Sequence, residues 1–279
     1  MTSRKSALPS VVKRNTVYLA ASQAVAMCVG QATFILAALV VLALTGSATL
    51  AGLATALIWG GRVLIVYQTG ALMDRIGRKT VLLLGIALAA SALFLMALAI
   101  VLGSLVLFWL GLVIYGFGSG ATQQSRIAVS DMYPLERRGE GIGYLMTGYV
   151  VGSLLSPVFT AGMTPMATYF RMDIYAMILL VSAALLAASS LLIVAVKPDP
   201  GEIGRNLQDY YPSLGANRFD PNNGLQSRSM LRLILFFPVL VAFVASASVS
   251  GDMTMMMSLV SIVMHQHDVA LTQIGRAHV

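Results

Sequence analysis

Six apolar runs, each about 20 residues or longer, follow one another before Lys197, at about 17–44, 48–72, 80–101, 105–129, 142–163 and 173–196. An α-helix needs ~20 mostly apolar residues to cross ~30 Å of hydrocarbon. Lipid offers no partner to an open backbone group, so each run must close its own hydrogen bonds as a helix. Composition agrees: 58% of the residues are hydrophobic and 10% are charged, against roughly 25% charged in a soluble domain. The single cysteine, Cys28, permits no intrachain disulfide and no cysteine-based zinc site. The net charge of +7 is spread over short loops, with no basic domain that would take nucleic acid. The chain reads as an all-α, multi-pass membrane protein whose first partner is the lipid bilayer.

Orientation follows from the basic loops. Arg4, Lys5, Lys13 and Arg14 precede the first run; Arg75, Arg78 and Lys79 follow the second; Arg137 and Arg138 follow the fourth; Lys197, Arg205, Arg218, Arg228 and Arg232 follow the sixth. The opposite loops hold only Arg171. This bias predicts a cytoplasmic N-terminus in the cytoplasmic (inner) membrane. The first run is too long for a cleavable signal peptide, and further spans follow at once.

Residues 1–196 therefore form one predicted six-helix bundle. Residues 197–230 are polar and contain Pro198, Pro200, Pro212 and Pro221, which predicts a cytoplasmic linker. Within it, Ile203, Leu207, Tyr210 and Tyr211 have roughly helical spacing. That spacing fits a helix lying on the membrane surface and fits an irregular loop equally well. Apolar character resumes over 231–272, a seventh helix, and the likeness of Thr49-Leu50-Ala51-Gly52 to Thr272-Gln273-Ile274-Gly275 fits a parallel repeat.

Two loops carry chemistry of their own. Gly70-Ala71-Leu72-Met73-Asp74-Arg75-Ile76-Gly77-Arg78-Lys79 joins the second and third runs. Gly77 permits a tight reversal there, and the cations suit the negative C-terminal end of the preceding helix and the lipid headgroups. Asp131-Met132-Tyr133-Pro134-Leu135-Glu136-Arg137-Arg138-Gly139 joins the fourth and fifth. The first loop resembles the signature G-x-x-x-D-R-x-G-R-K of the major facilitator superfamily, and the second resembles that family's D-x-x-P-x-x-x-R-G pattern, each in the corresponding loop.

The resemblance implies a secondary transporter with twelve helices in two halves, rocking about a central small-molecule site, with no cofactor. It implies that Gly70, Asp74, Arg75, Gly77 and Arg78, with Asp131 and Arg138, act as a conformational latch rather than a substrate site. It also implies five more helices after the seventh. The tail Ile274-Gly275-Arg276-Ala277-His278-Val279 leaves the hydrophobic pattern and back-translates as ATC GGA AGA GCA CAC GTC, a common sequencing-adapter string. Residues 273–279 are therefore expected to be non-native, and the C-terminal half truncated.

Two departures from the family pattern bear on coupling and direction. Gly116, Gly118 and Gly120 fit the R-x-x-x-G-x-G pattern of helix four, but Leu112 stands where many members carry an arginine tied to proton coupling. In helix five, the exporter pattern G-x-x-x-G-P-x-x-G-G keeps Gly152 and Pro157 but has Ser156, Thr160 and Ala161 at the other glycines. Small residues still permit close helix packing, and Pro157 still permits a bend.

Some side chains do not belong in lipid. Arg62 precedes Asp74 by twelve positions, about 18 Å along a helix, too deep for easy snorkelling. It must face the bundle interior or a wet cavity, as a functional group or as a structural arginine held by backbone carbonyls. Asp252, in the polar stripe of the seventh run, lies at a depth similar to Gln31 of the first. Arg62, Asp252, Gln23, Gln31 and Thr33 are the candidate substrate or ion cavity; interhelical hydrogen bonding is the competing role for Gln23, Gln31 and Thr33. Arg126 reads as a snorkelling or latch-pairing residue. Met253, Met255, Met256, Met257 and Met264 beside His265 and His267 read as adaptable packing rather than a metal site. No catalytic constellation is visible.

The sequence thus predicts a secondary active transporter for a small organic solute. Proton-linked export is the first expectation, metabolite uptake the second, and a non-transporting sensor or scaffold of the same fold the third.

Overall fold

The computed structural model describes residues 8–212, together with the isolated helical positions 241, 245 and 248. The described chain is helical. It comprises α1 (Ser10–Thr45), α2 (Ala48–Ile76), α3 (Arg78–Val101), α4 (Leu105–Thr122), α5 (Ser125–Asp131), α6 (Arg138–Phe170), α7 (Ile174–Ala195), α8 (Pro200–Arg205) and α9 (Leu207–Tyr210), with a 3₁₀ turn at Leu135–Arg137. Six segments are long and apolar enough to cross a membrane, with α4 and α5 sharing the fourth. Helix starts coincide with side-chain caps: Ser47 accepts from Leu50 N, Ser104 from Leu107 N, and Asp173 from the N–H groups of Tyr175 and Ala176. Asp252 and the seventh apolar run lie outside the described residues.

Helices α1, α2, α4, α3 and α7 close a ring in that order, and α6 packs along α1, touching α5 and α7 as well. The core fills the ring with Leu36, Ile58, Leu93, Phe108, Leu112 and Leu186. At the attachment of α6, backbone meets backbone: Gly148 lies against the Ala20 carbonyl and Gly152 against the Ala24 carbonyl. Within α6, Pro157 removes an N–H from the ladder, and nearby the Thr160 hydroxyl donates to the Ser156 and Pro157 carbonyls at 3.1 and 3.0 Å.

The helices depart from the apolar runs in two places. α1 begins at Ser10, so Lys13, Arg14, Asn15 and Thr16 form an extra polar turn continuous with the span. The fourth span is broken, not continuous: around Gln123 and Gln124 the backbone tightens, with Gln124 N bonding Ala121 O at 3.2 Å and Ile127 N bonding Gln124 O at 2.9 Å. Bonds that reach back only three residues are 3₁₀ geometry, which separates α5 from α4.

One end of the bundle gathers the charged loops. There α2 turns into α3 at Gly77 (φ +94°), and α5 turns into α6. Beneath this charged end runs a strap, residues 197–211, containing α8 and α9. It takes neither the membrane-surface course nor an irregular one: Ile203, Leu207 and Tyr211 are buried in the bundle's own core. Polar ties hold it from several sides. Arg14 donates to Lys197 O at 2.6 Å, Asn15 to Pro198 O at 3.3 Å, and the Tyr211 hydroxyl to Met132 O at 3.3 Å.

Candidate functional site

At the charged end, Arg78 is the hub. Its Nε donates to Asp131 Oδ2 at 2.9 Å and its Nη1 to Asp74 Oδ1 at 2.7 Å. The two contacts differ in setting. The Asp131 side chain is 23% exposed and that of Asp74 is 70% exposed, so water screens the second far more. The structure thus brings together Asp74, Arg78 and Asp131, whose sequence positions lie in two different loops. Arg75 and Arg138 line the same cleft, of about 700 Å³, with Asp199, Glu202 and Arg205 of the strap on its other wall. Gly70 lies further up α2, where a Cβ would meet nothing within 4 Å.

Asp199 is the residue that sequence reasoning missed. Its carboxylate accepts the backbone N–H of Arg78 at 3.3 Å and of Lys79 at 2.9 Å, capping α3 from more than a hundred residues away. A negative group at this helix start also meets the positive end of the helix dipole. Gly77 makes room for it: a Cβ there would sit 3.1 Å from Asp199 Oδ2. The local signal was present, since Asp199-Pro200 is an N-cap followed by proline at the first helical position.

Arg62 lies deep in the bundle and is 8% exposed. Its Nε donates to Ser119 Oγ of α4 at 2.9 Å. The guanidinium carbon stands 5.0 Å from the Phe34 ring centroid and 4.9 Å from that of Trp59. Neither a backbone carbonyl nor a carboxylate holds it among the described residues, where the ion pairs are those of Arg78 with Asp74 and Asp131 and of Arg137 with Glu140. Glycines explain the approach. A Cβ on Gly116 would lie 2.5 Å from Ile58 O, and one on Gly120 would lie 3.2 Å from Arg62 Cα, while Gly118 abuts the Ala89 backbone. Alternate glycines thus seat α4 against α2 on one side and α3 on the other, which carries Ser119 to Arg62.

The other polar candidates do not hydrogen-bond Arg62 and have contacts of their own. Gln23 accepts from the Ser125 hydroxyl at 2.9 Å, tying α1 to α5, and Thr33 donates back to Val29 O at 2.8 Å. Gln31 is half-buried. Arg126 stacks on Tyr149 of α6, with its guanidinium carbon 5.1 Å from the ring centroid. Ser119, Phe34, Trp59 and Tyr149 carry no linear signal, because their roles exist only once four helices converge.

The model of the Major Facilitator Superfamily matches residues 19–275. Among curated proteins, the chain is similar to the uncharacterized MFS-type transporter YdeG of Bacillus subtilis (strain 168), 27% identical over 61% of this chain and 40% of that protein. It is also similar to the uncharacterized MFS-type transporter YddS of the same strain, 25% identical over 56% of this chain and 36% of that protein. The chain therefore spans about two fifths of the length of these relatives. Among solved structures it is similar to a D-xylose-proton symporter, with 18% identity, TM-score 0.47, 73% of this chain and 52% of that one. A second is the inward open xylose transporter XylE from E. coli, with 15% identity, TM-score 0.46, 76% of this chain and 56% of that one. With both signature loops in place at one end of a six-span bundle, and a family match over nearly its whole length, the chain belongs to the Major Facilitator Superfamily.

Proposed function

We propose that this chain forms part of a secondary active transporter that moves a small organic solute across the cytoplasmic membrane by alternating access. The observation that carries this reading is Arg62, a cation held mid-span in a family member without a carboxylate partner among the described residues. A buried charge in a membrane span marks a solute or ion pathway. Arg62 and Asp252 face one cavity in this reading, with Gln23, Gln31 and Thr33 on its walls. Gly70, Asp74, Arg75, Gly77, Arg78, Asp131 and Arg138 form a latch whose ion pairs break and re-form as the two faces open in turn. The charged end and the strap lie on the cytoplasmic side, as the basic loops favour. The direction we assign is export driven by protons, although Leu112 takes the place in α4 where the family resemblance expects a proton-coupling arginine.

Flux into proteoliposomes, measured with and without an imposed pH gradient, tests the proposal. Uptake into inside-out vesicles that rises with the gradient supports it. Reconstituted, folded protein with no flux of any solute would leave a sensor or scaffold as the better account. Orientation is tested separately: a cysteine at position 13 should resist an impermeant maleimide added outside intact cells, and labelling there would reverse the assignment.

A further inference from the structure

We infer that the Arg62 cluster binds an organic anion, a single carboxylate or sulfonate carried on a flat apolar body. This rests on the transport reading for its consequence but not for its chemistry. Arg62 is 8% exposed, and only its Nε finds a hydrogen-bond acceptor among the described residues. A cation buried without an anion is unfavourable by several kcal/mol, so the charge calls for a partner. The described acidic residues cannot supply one. Asp74, Asp131, Glu136, Glu140, Asp173, Asp199, Glu202 and Asp209 all lie at helix ends or in the strap.

The neighbours offer donors and flat surfaces. Trp59 Nε1 and Tyr149 Oη are buried with no hydrogen-bond partner. The Trp59 ring lies 4.9 Å from the Arg62 guanidinium, and the phenols of Tyr115 and Tyr149 are its titratable neighbours. Tyr149 also carries a second, exposed cation: the Arg126 guanidinium carbon stands 5.1 Å from its ring centroid, and Arg126 has no ion pair among the described residues. Phe34 and Trp59 stack with centroids 6.2 Å apart. Two cations, two idle donors and aromatic faces complement an acceptor-rich anion with an apolar plane. A neutral solute would leave the charge unanswered, and a cation would be repelled.

The test uses the full chain in nanodiscs with benzoate as probe, against benzamide and benzylamine as neutral and cationic shape analogues. Trp109→Phe leaves Trp59 as the one indole, since the chain has 2 tryptophans. Benzoate should perturb Trp59 emission and raise the melting temperature, with at least tenfold weaker effects from both analogues. Arg62→Gln should lose at least tenfold in benzoate affinity, and Arg62→Lys less. Ligand-free Arg62→Gln should melt no lower than the parent, because an unanswered charge has gone. Equal binding of benzamide would overturn the inference, as would a lower melting temperature for Arg62→Gln combined with no benzoate response in the parent. So would benzoate binding seen only in Asp252→Asn, which would make Asp252 the resident anion. Benzoate binding without flux of any solute would count against transport alone; flux of a neutral solute by protein that ignores benzoate would count against the anion site alone.

Discussion

Asp199 accepts the backbone N–H of Lys79 at 2.9 Å, so the first turn of α3 is capped by a residue from beyond the end of α7. The same carboxylate takes the N–H of Arg78 and of Gly201. The Gly77 reversal, which aims the Arg78 side chain at two carboxylates, is thus braced from the strap.

Removing that brace should weaken the charged end. A lost N-cap costs about 1 kcal/mol, and here it also releases the strap. Asp199→Ala should lower the melting temperature of detergent-solubilised protein, with Asp199→Asn falling between the two. An unchanged melting temperature in Asp199→Ala would contradict the bracing role.

The two carboxylates on Arg78 should differ in worth. A charged hydrogen bond in a half-buried setting contributes roughly 1.5–3 kcal/mol, and an exposed pair about 0.2–1 kcal/mol. Asp131→Asn should therefore destabilise more than Asp74→Asn, and ~1 M salt should erase the Asp74 effect but not the Asp131 effect. Thermal melts of both variants at low and high salt provide the check; equal losses would contradict the ranking.

Gly116→Ala and Gly152→Ala should both be damaging, because each Cβ would be driven into a carbonyl oxygen of the facing helix, Ile58 O and Ala24 O respectively. Overpacking of this kind costs ~1–3 kcal/mol. Gly143→Ala, with nothing within 4 Å of the added carbon, is the control and should equal or exceed the parent in stability. Monodisperse yield after solubilisation, read alongside melting temperature, separates the three.

Tyr211 gives the strap an alkaline limit. Burial pushes its phenol from the ordinary value near 10 up to about 12, so the docked strap favours the neutral form. That contribution is complete below about pH 10, where the undocked phenol would start to ionise, and is lost as pH rises through about 12. Subtracting the ultraviolet titration of Tyr211→Phe from that of the parent should isolate one late-ionising phenol; a difference curve centred near 10 would show that Tyr211 is not docked.

The spans and the reversal at Gly77 were legible because they depend on local quantities: the length of an apolar run and a glycine between two helices. The start of α1 was not, since a helix can continue past the hydrocarbon through Lys13 and Arg14 without any apolar signal. The break at Gln123 and Gln124 left no glycine or proline to mark it. The strap was hidden for a different reason. Ile203, Leu207 and Tyr211 have one helical spacing whether they face lipid, water or the bundle, and only the shape of the charged end selects the last. Around Arg62, the charge itself was conspicuous in the sequence, but Ser119 lies 57 residues away along the chain and becomes its partner only through the glycine-lined approach of α4.

The strap also decides how the bundle feels its surroundings mechanically. A pull on the chain beyond Pro212 does not run straight up α7. It first loads the Tyr211 hydroxyl on Met132, then the seats of Leu207 and Ile203, and then Asp199 on the first turn of α3. The strap is thus a strain relief in the engineering sense, delivering tension from the following segment to the Gly77 reversal before it reaches the membrane-spanning end of α7.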